Sequence, residues 1–331
     1  MSERIVNPAN CVMRLWHRAS AACWMLAAAC LGVASLGGCT PAEVFLQRLG
    51  ALDADVKPIL RDAVWGHGNP YVWGARKNLV IEARWSDYRR GLEAVESRRT
   101  YCIDLTSRRM RIDDLTTQTT SLYDGATWRV FFRGKAITKP AEVTAETVGR
   151  LFMFEQAADE MRLVRETFCM PFTLLGDGVK LSSSGQVRSP AGGNLWNVVQ
   201  AEFQPNVTGH WHEDRLFVYF HPVNDRVDRA MIVAFNTIFN GIPHWGEWSD
   251  YRRVGDDGPI MPHLLDFRMT DVAGVADLGR HLTITVEKMA FDVTLPAGVY
   301  STLGAAPAKL PAEPVTTPRQ LGRDDVHGTT R

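Results

Sequence analysis

Ser121-Leu-Tyr-Asp-Gly-Ala-Thr-Trp-Arg-Val-Phe-Phe132 sets the period on which the fold is read. Apolar and polar side chains alternate on both sides of Asp124-Gly125, and glycine supplies the positive φ that a tight turn needs at no steric cost. The stretch therefore predicts a β-hairpin. Toward the N-terminus the same period of two continues through residues 109–115, 100–105 and 79–88. In the other direction it gives way over 141–168 to helical spacing, with Val148, Leu151, Phe152, Met161 and Val164 separated by charged residues. Strand-like segments resume at 195–203, 215–220, 229–235, 245–254, 264–270 and 282–294. Short connections make most neighbours antiparallel. Ahead of the strands, Phe45, Leu49, Leu52, Val56, Ile59 and Leu60 recur at three and four residues, a helix that Pro58 is expected to split. No strand, glycine loop and helix follow one another in the order of a doubly wound sheet, so the expected class is α+β.

Composition narrows the partners. Of 331 residues 45% are hydrophobic and 22% charged, and 37 Lys+Arg balance 37 Asp+Glu. That is a globular chain without the basic field that holds a nucleic-acid backbone, so no nucleic-acid partner is expected. The first 38 residues read as a leader. Arg14, His17 and Arg18 precede an acid-free apolar run over 19–36, a charged region followed by a hydrophobic one. The run ends in Leu36-Gly37-Gly38-Cys39, which resembles the bacterial lipobox and implies cleavage before Cys39 with a diacylglyceryl group on its thiol. Two or three acyl chains hold a protein on a membrane, at about 0.8 kcal/mol per buried methylene. The competing reading is an uncleaved anchor, since about 18 apolar residues just reach across a bilayer. Starting at Met13 rather than Met1 would leave a more usual leader length. Thr40 stands where enteric inner-membrane lipoproteins carry Asp, which points to the outer membrane, facing the periplasm. Cleavage removes three arginines and one glutamate and leaves a formal charge of −2. Attraction to anionic lipid is then not the anchor.

The mature chain reads as one domain over 39–300 followed by a Pro-, Ala- and Thr-rich tail over 301–331, expected to be disordered because it has too little apolar surface to offset its ordering entropy. It keeps two cysteines, Cys102 and Cys169, which an oxidising compartment lets pair and which otherwise are small core residues. Trp85-Ser-Asp-Tyr-Arg-Arg90 recurs letter for letter as Trp248-Ser-Asp-Tyr-Arg-Arg253, while the sequence around the two copies does not align. Both copies read as strands, with packing the first role for their aromatics and binding the second.

Three short segments carry a family resemblance. Tyr123-Asp-Gly-Ala-Thr-Trp128 looks like an Asp-Gly hairpin followed by an aromatic. Tyr251-Arg-Arg-Val-Gly-Asp-Asp-Gly-Pro-Ile-Met-Pro262 is a strand, a glycine turn and an apolar-Pro strand start, and Phe291-Asp-Val-Thr-Leu-Pro-Ala-Gly298 is a closing Phe-x-x-x-x-Pro-x-Gly. With the element order, over roughly 42–300, they resemble the LolA/LolB lipoprotein-carrier family, nearer LolB if the chain is itself lipidated. The resemblance implies a strongly curved antiparallel sheet, an incomplete barrel whose mouth helices cover. It also implies an apolar hollow that shelters acyl chains or a lipidated protein, a monomer, and binding rather than catalysis. A sensor or interaction module on the same fold is the alternative. Periodicity offers Trp85, Tyr101, Trp128, Phe203 and Trp248 as inward-facing walls.

Enzymatic readings are weaker. His210-Trp211-His212-Glu213, with His221 or His244 as a third ligand, has the His-x-His spacing that puts two imidazoles on one strand face, as zinc requires. It follows a turn-rich stretch, however, where solvated loop histidines are ordinary. Asp113-Asp114 and Asp256-Asp257 are adjacent pairs whose side chains diverge on a strand. Ser182-Ser-Ser184-Gly185 reads as a loop without a partner base. No cofactor is expected.

Overall fold

The computed structural model describes residues 41–89, 93–188, 195–205, 214–271, 274, 277–307, 309 and 310. The leader, the lipobox with Cys39, the His210 and His212 pair and residues 311–331 lie outside the described residues. Among those described, the chain opens with α1 (Pro41–Gly50) and α2 (Lys57–Gly66), so the helical stretch is divided as Pro58 predicts. The break precedes the proline, which sits in the first turn of α2 where its missing N–H costs nothing. A short α3 (Pro70–Gly74) follows, started by Asn69, whose side chain accepts a hydrogen bond from the Tyr71 N–H at 2.8 Å.

Six strands then run outward in order: β1 (Asn78–Asp87), β2 (Val95–Asp104), β3 (Met110–Asp114), β4 (Thr119–Tyr123), β5 (Trp128–Phe132) and β6 (Lys135–Ile137). The expected hairpin is β4 paired with β5, with Tyr123 opposite Trp128. After α4 (Val148–Phe168) and a 3-10 turn (Phe172–Leu175) come seven more strands. These are β7 (Val179–Arg188), β8 (Leu195–Phe203), β9 (Arg215–Phe220), β10 (Val227–Val233), β11 (His244–Arg253), β12 (Ile260–Thr270) and β13 (Asp277–Phe291). They stack as a second meander, and β13 pairs with β1 to join the two into one antiparallel sheet. The sheet is not closed, because β6 and β7 remain as its two edges. The open antiparallel sheet with helices on one face is the α+β class expected from the sequence.

One face carries almost all of the core. Leu79, Ile81, Ala83 and Trp85 of β1 alternate inward with Tyr101 and Ile103 of β2 and Leu282, Ile284 and Val286 of β13, and they meet Leu60 and Val64 of α2 and Val164 and Phe168 of α4. Register shifts bend the sheet around that core. They fall between Glu82 and Ala83 against β13, twice between β12 and β13, between β9 and β10, and between Ser183 and Gln186 on β7. Each extra residue locally raises strand twist. The bulge on β7 is also why Ser182–Gly185 read as a loop. Gly185 takes φ +78° inside a strand, which destroys the alternation from which strands are read.

The outer face corrects one expectation and separates the two readings of the cysteines. The described residues 301–307, 309 and 310 are not a loose tail, since the strap they form is pinned at both ends by Val299, Tyr300 and Leu310, which pack with Val80 and Cys102 behind the sheet. Arg111 of β3, with a side chain only 2% exposed, donates to the carbonyls of Val299, Thr302, Leu303 and Ala305 and to both oxygens of Asp113. The Leu310 N–H donates to Glu82 at 2.7 Å. Polar groups on the strand thus hold a segment whose own apolar content is small. Cys102 faces this strap while Cys169 belongs to the inner core, so the two are free thiols on opposite faces of the sheet and do not form a bridge. Burial pushes both thiols up to about 12.

Candidate functional site

Between β6 and β7 the chain must pass from one edge of the sheet to the other, and α4 makes that crossing. Its 21 residues span about 32 Å at 1.5 Å per residue. The helix packs on β5, and the 3-10 turn after it packs on β7 and α1. Buried polar contacts fix the C-terminal half of α4. Glu160 receives the Tyr101 hydroxyl at 3.0 Å and pairs with Arg99 at 2.6 Å, and Asp159 accepts from the Thr237 N–H at 2.7 Å and hydroxyl at 2.6 Å. Trp248 Nε1 donates to the Thr167 carbonyl at 3.0 Å. Burial works against the charge on Arg99, yet Glu160 and Asp114 hold it firmly protonated, while burial and then Glu160 raise the Tyr101 phenol well above 10.

Beneath and beside α4 lies an open cavity of about 880 Å³. Its apolar wall comes from Phe45 of α1, Trp73 of α3, Met110 of β3, Trp128 of β5, Phe154 and Met161 of α4, Phe172 of the 3-10 turn, and Phe203 of β8. Charged side chains mark its rim: Arg48, Arg108, Lys139, Arg162 and Arg165 against Glu155, Glu166 and Asp177. Trp73 stacks flat on Phe172 with centroids 4.4 Å apart, and Phe45 meets the same ring at 5.6 Å. A volume of this size lies within the roughly 300–1,000 Å³ of small-molecule pockets. An apolar wall of aromatics with an ionic rim suits an amphiphile.

All five aromatic residues named from periodicity belong to the inner face, but only two reach the cavity. Trp128 and Phe203 line it. Trp85, Tyr101 and Trp248 are consumed by packing: Trp85 lies under the Arg99 guanidinium at 4.1 Å, and the other two hold α4. Each copy of the repeated hexapeptide sends its tryptophan into the core and pairs its aspartate with the arginine two residues on, Asp87 with Arg89 and Asp250 with Arg252, both at 2.6 Å. The repeat is a strand device for packing and local charge pairing. Phe45 and Met161 read from the sequence only as helix-face positions, and Trp73, Phe154 and Phe172 carry no signal that marks them as walls. Helices and the 3-10 turn supply all five, where a search along strand positions does not look.

Among the described residues no group of three or more His, Cys, Asp or Glu side chains is arranged to hold a metal. His221 uses Nδ1 to accept from the Val223 N–H at 3.2 Å. His244 is fully buried with His281, Phe239 packed on it at 4.4 Å. Its Nδ1 lies 2.7 Å from the Ile242 carbonyl and so carries the proton, which leaves Nε2 to accept from Nδ1 of His281. Nε2 of His281 has no partner. Burial pushes both imidazoles down to about 4, assisted at His244 by His281 and then Arg89, and at His281 by Arg89, with Asp87 opposing there. Burial does the same to His67. The folded values lie below the ordinary 6.5, so this stabilisation is complete above that pH and is lost as pH falls through about 4. The urea midpoint is expected to drop between pH 7 and pH 4.5, and to drop less in His244→Gln/His281→Gln. An equal drop in both proteins would assign the pH dependence elsewhere.

The sequence matches no protein-family model and no curated protein. Solved structures similar to the chain include a LolA superfamily protein from Nitrosomonas europaea, 8% identical, covering 74% of this chain and 97% of that one at a TM-score of 0.44. A putative outer membrane lipoprotein-sorting protein domain from Vibrio parahaemolyticus is 8% identical over 73% of this chain and 94% of that one, with a TM-score of 0.43. A DUF1329 family protein from Desulfovibrio piger is 12% identical over 76% and 99%, with a TM-score of 0.45.

Proposed function

We propose that this chain is a non-enzymatic binding protein of the bacterial cell envelope that shelters acyl chains, of a lipid or a lipidated protein, in the cavity beneath α4. The observation that carries the reading is the cavity itself, about 880 Å³ with aromatic walls, spanned by a helix that links the two open edges of the sheet. At about 25 cal/mol per Å² of apolar surface, enclosing part of one chain is worth several kcal/mol, enough to hold it out of water. The protein expressed without residues 1–39 and extracted with organic solvent is expected to yield copurifying acyl chains. An extract free of them, together with no uptake of added fatty acid, would defeat the reading.

Anchoring is a separate part of the proposal and rests on Leu36-Gly37-Gly38-Cys39. Cys39 carries the lipid, and the domain faces the periplasm from the outer membrane. Cys39→Ala is expected to move the protein from the membrane fraction to the soluble one and to remove the mass of the diacylglyceryl and acyl groups from its N-terminal peptide. A variant that stays on the membrane with an uncleaved leader would point to a spanning anchor instead.

A further inference from the structure

Besides Glu155, Arg162 and Glu166, α4 lines the cavity with Phe154, Ala158, Met161 and Arg165, which follow one another at four, three and four residues, with Cys169 just beyond the helix. These positions form one stripe of the helix. Arginine is the odd member of that stripe. It is half-buried, and among the described residues its guanidinium has no hydrogen bond or ion pair. The neighbouring arginines differ, since Arg48 is bound by Asp177 at 2.6 Å and Arg162 by Asp159. Five donors in a planar fork, partly withdrawn from water and left without an internal acceptor, suit a carboxylate or phosphate brought in from outside. At the other end of the stripe stands Glu155, ten residues earlier and about 15 Å along the axis, which repels an anion placed there. Arg165 and Glu155 thus mark opposite ends of the stripe, and Glu166, which also lines the cavity, interacts with Arg162.

Building on the acyl-chain reading above, we propose that the cavity selects amphiphiles with an anionic head, held by Arg165, with the chain running under α4 toward Phe154. A fatty carboxylate and a single-chain phosphate monoester share this chemistry. Trp73 and Trp128 in the wall report on occupancy, so quenching by doxyl-labelled stearate can be compared with its uncharged methyl ester, with the corresponding lysophosphatidate and with the amine of the same chain length. Stearate or lysophosphatidate is expected to bind about tenfold more tightly than the ester, the discrimination of one charge-assisted hydrogen bond, and the amine more weakly than either. Whichever anion binds more tightly identifies the source of the head group. In Arg165→Gln the preference over the ester is expected to shrink to within about twofold while ester binding persists, and Arg165→Lys is expected to keep most of it. Equal binding of stearate, lysophosphatidate and ester by the unaltered protein would overturn this proposal and leave the acyl-chain reading standing. Quenching by none of the four would overturn both.

Discussion

Replacement of Ala158 by tryptophan is expected to weaken acyl-chain binding by about a hundredfold. Ala158 is on the cavity-facing stripe of α4 and its methyl group borders the void. An indole there takes the place of about four methylenes of ligand, which at about 0.8 kcal/mol each amounts to about 3 kcal/mol. The new ring enters space that already exists, so the overpacking cost of about 1–3 kcal/mol in a filled core is largely avoided. Quenching by doxyl-labelled stearate measures the loss, and the urea midpoint separates it from unfolding. Val143→Trp serves as the control, because Val143 is 58% exposed and does not line the cavity. Unchanged binding in Ala158→Trp would mean that the chain is held somewhere else.

The second large effect concerns the back of the sheet. Arg111→Met is expected to cost about 3–5 kcal/mol, because it strips a buried guanidinium from Asp113 and from four strap carbonyls while leaving those acceptors in place. Methionine fills similar volume, so the loss is of polar pairing and not of packing. The strap should then detach from Val80 and Cys102 before the domain unfolds, which limited proteolysis within 299–310 would detect as faster cleavage. Burial holds the Cys102 thiol up at about 12, and its uncovering would appear as faster alkylation. The cavity is on the other face, so stearate binding should survive. Strap cleavage at the unaltered rate would show that Arg111 does not fasten it.

Much of this architecture is legible in the sequence for physical reasons that differ from element to element. Strands β8 and β9 have the boundaries read from period two, because one face of each is core and the other is not, and the β4–β5 hairpin follows from Asp124-Gly125. β7 was missed because its bulge at Gly185 breaks the alternation, and β6 because three residues are too few to show a period. The strap is not legible because, beyond the few apolar side chains of Val299, Tyr300 and Leu310, it is held by donation from Arg111 to its carbonyls and from the Leu310 N–H to Glu82, which composition does not record. At the site, periodicity sorted inward from outward correctly for Trp85, Tyr101, Trp128, Phe203 and Trp248, yet it could not separate cavity wall from filled core. That distinction depends on which of them α4 covers with Thr167 and Glu160 and which it leaves facing the void. The stripe of Phe154, Ala158, Met161 and Arg165 was present in the helical spacing, and its one cation was the available signal.

Photolabelling tests the central claim most directly. A fatty acid bearing a diazirine near its methyl end, bound to the protein lacking residues 1–39 and irradiated, should insert into residues that surround the cavity. Peptide mapping is expected to place the label on Phe154, Ala158 or Met161 of α4 and on the facing Phe45, Trp128 or Phe203, with unlabelled stearate competing it away. Label confined to the exposed outer surface, or uncompeted by stearate, would contradict the account.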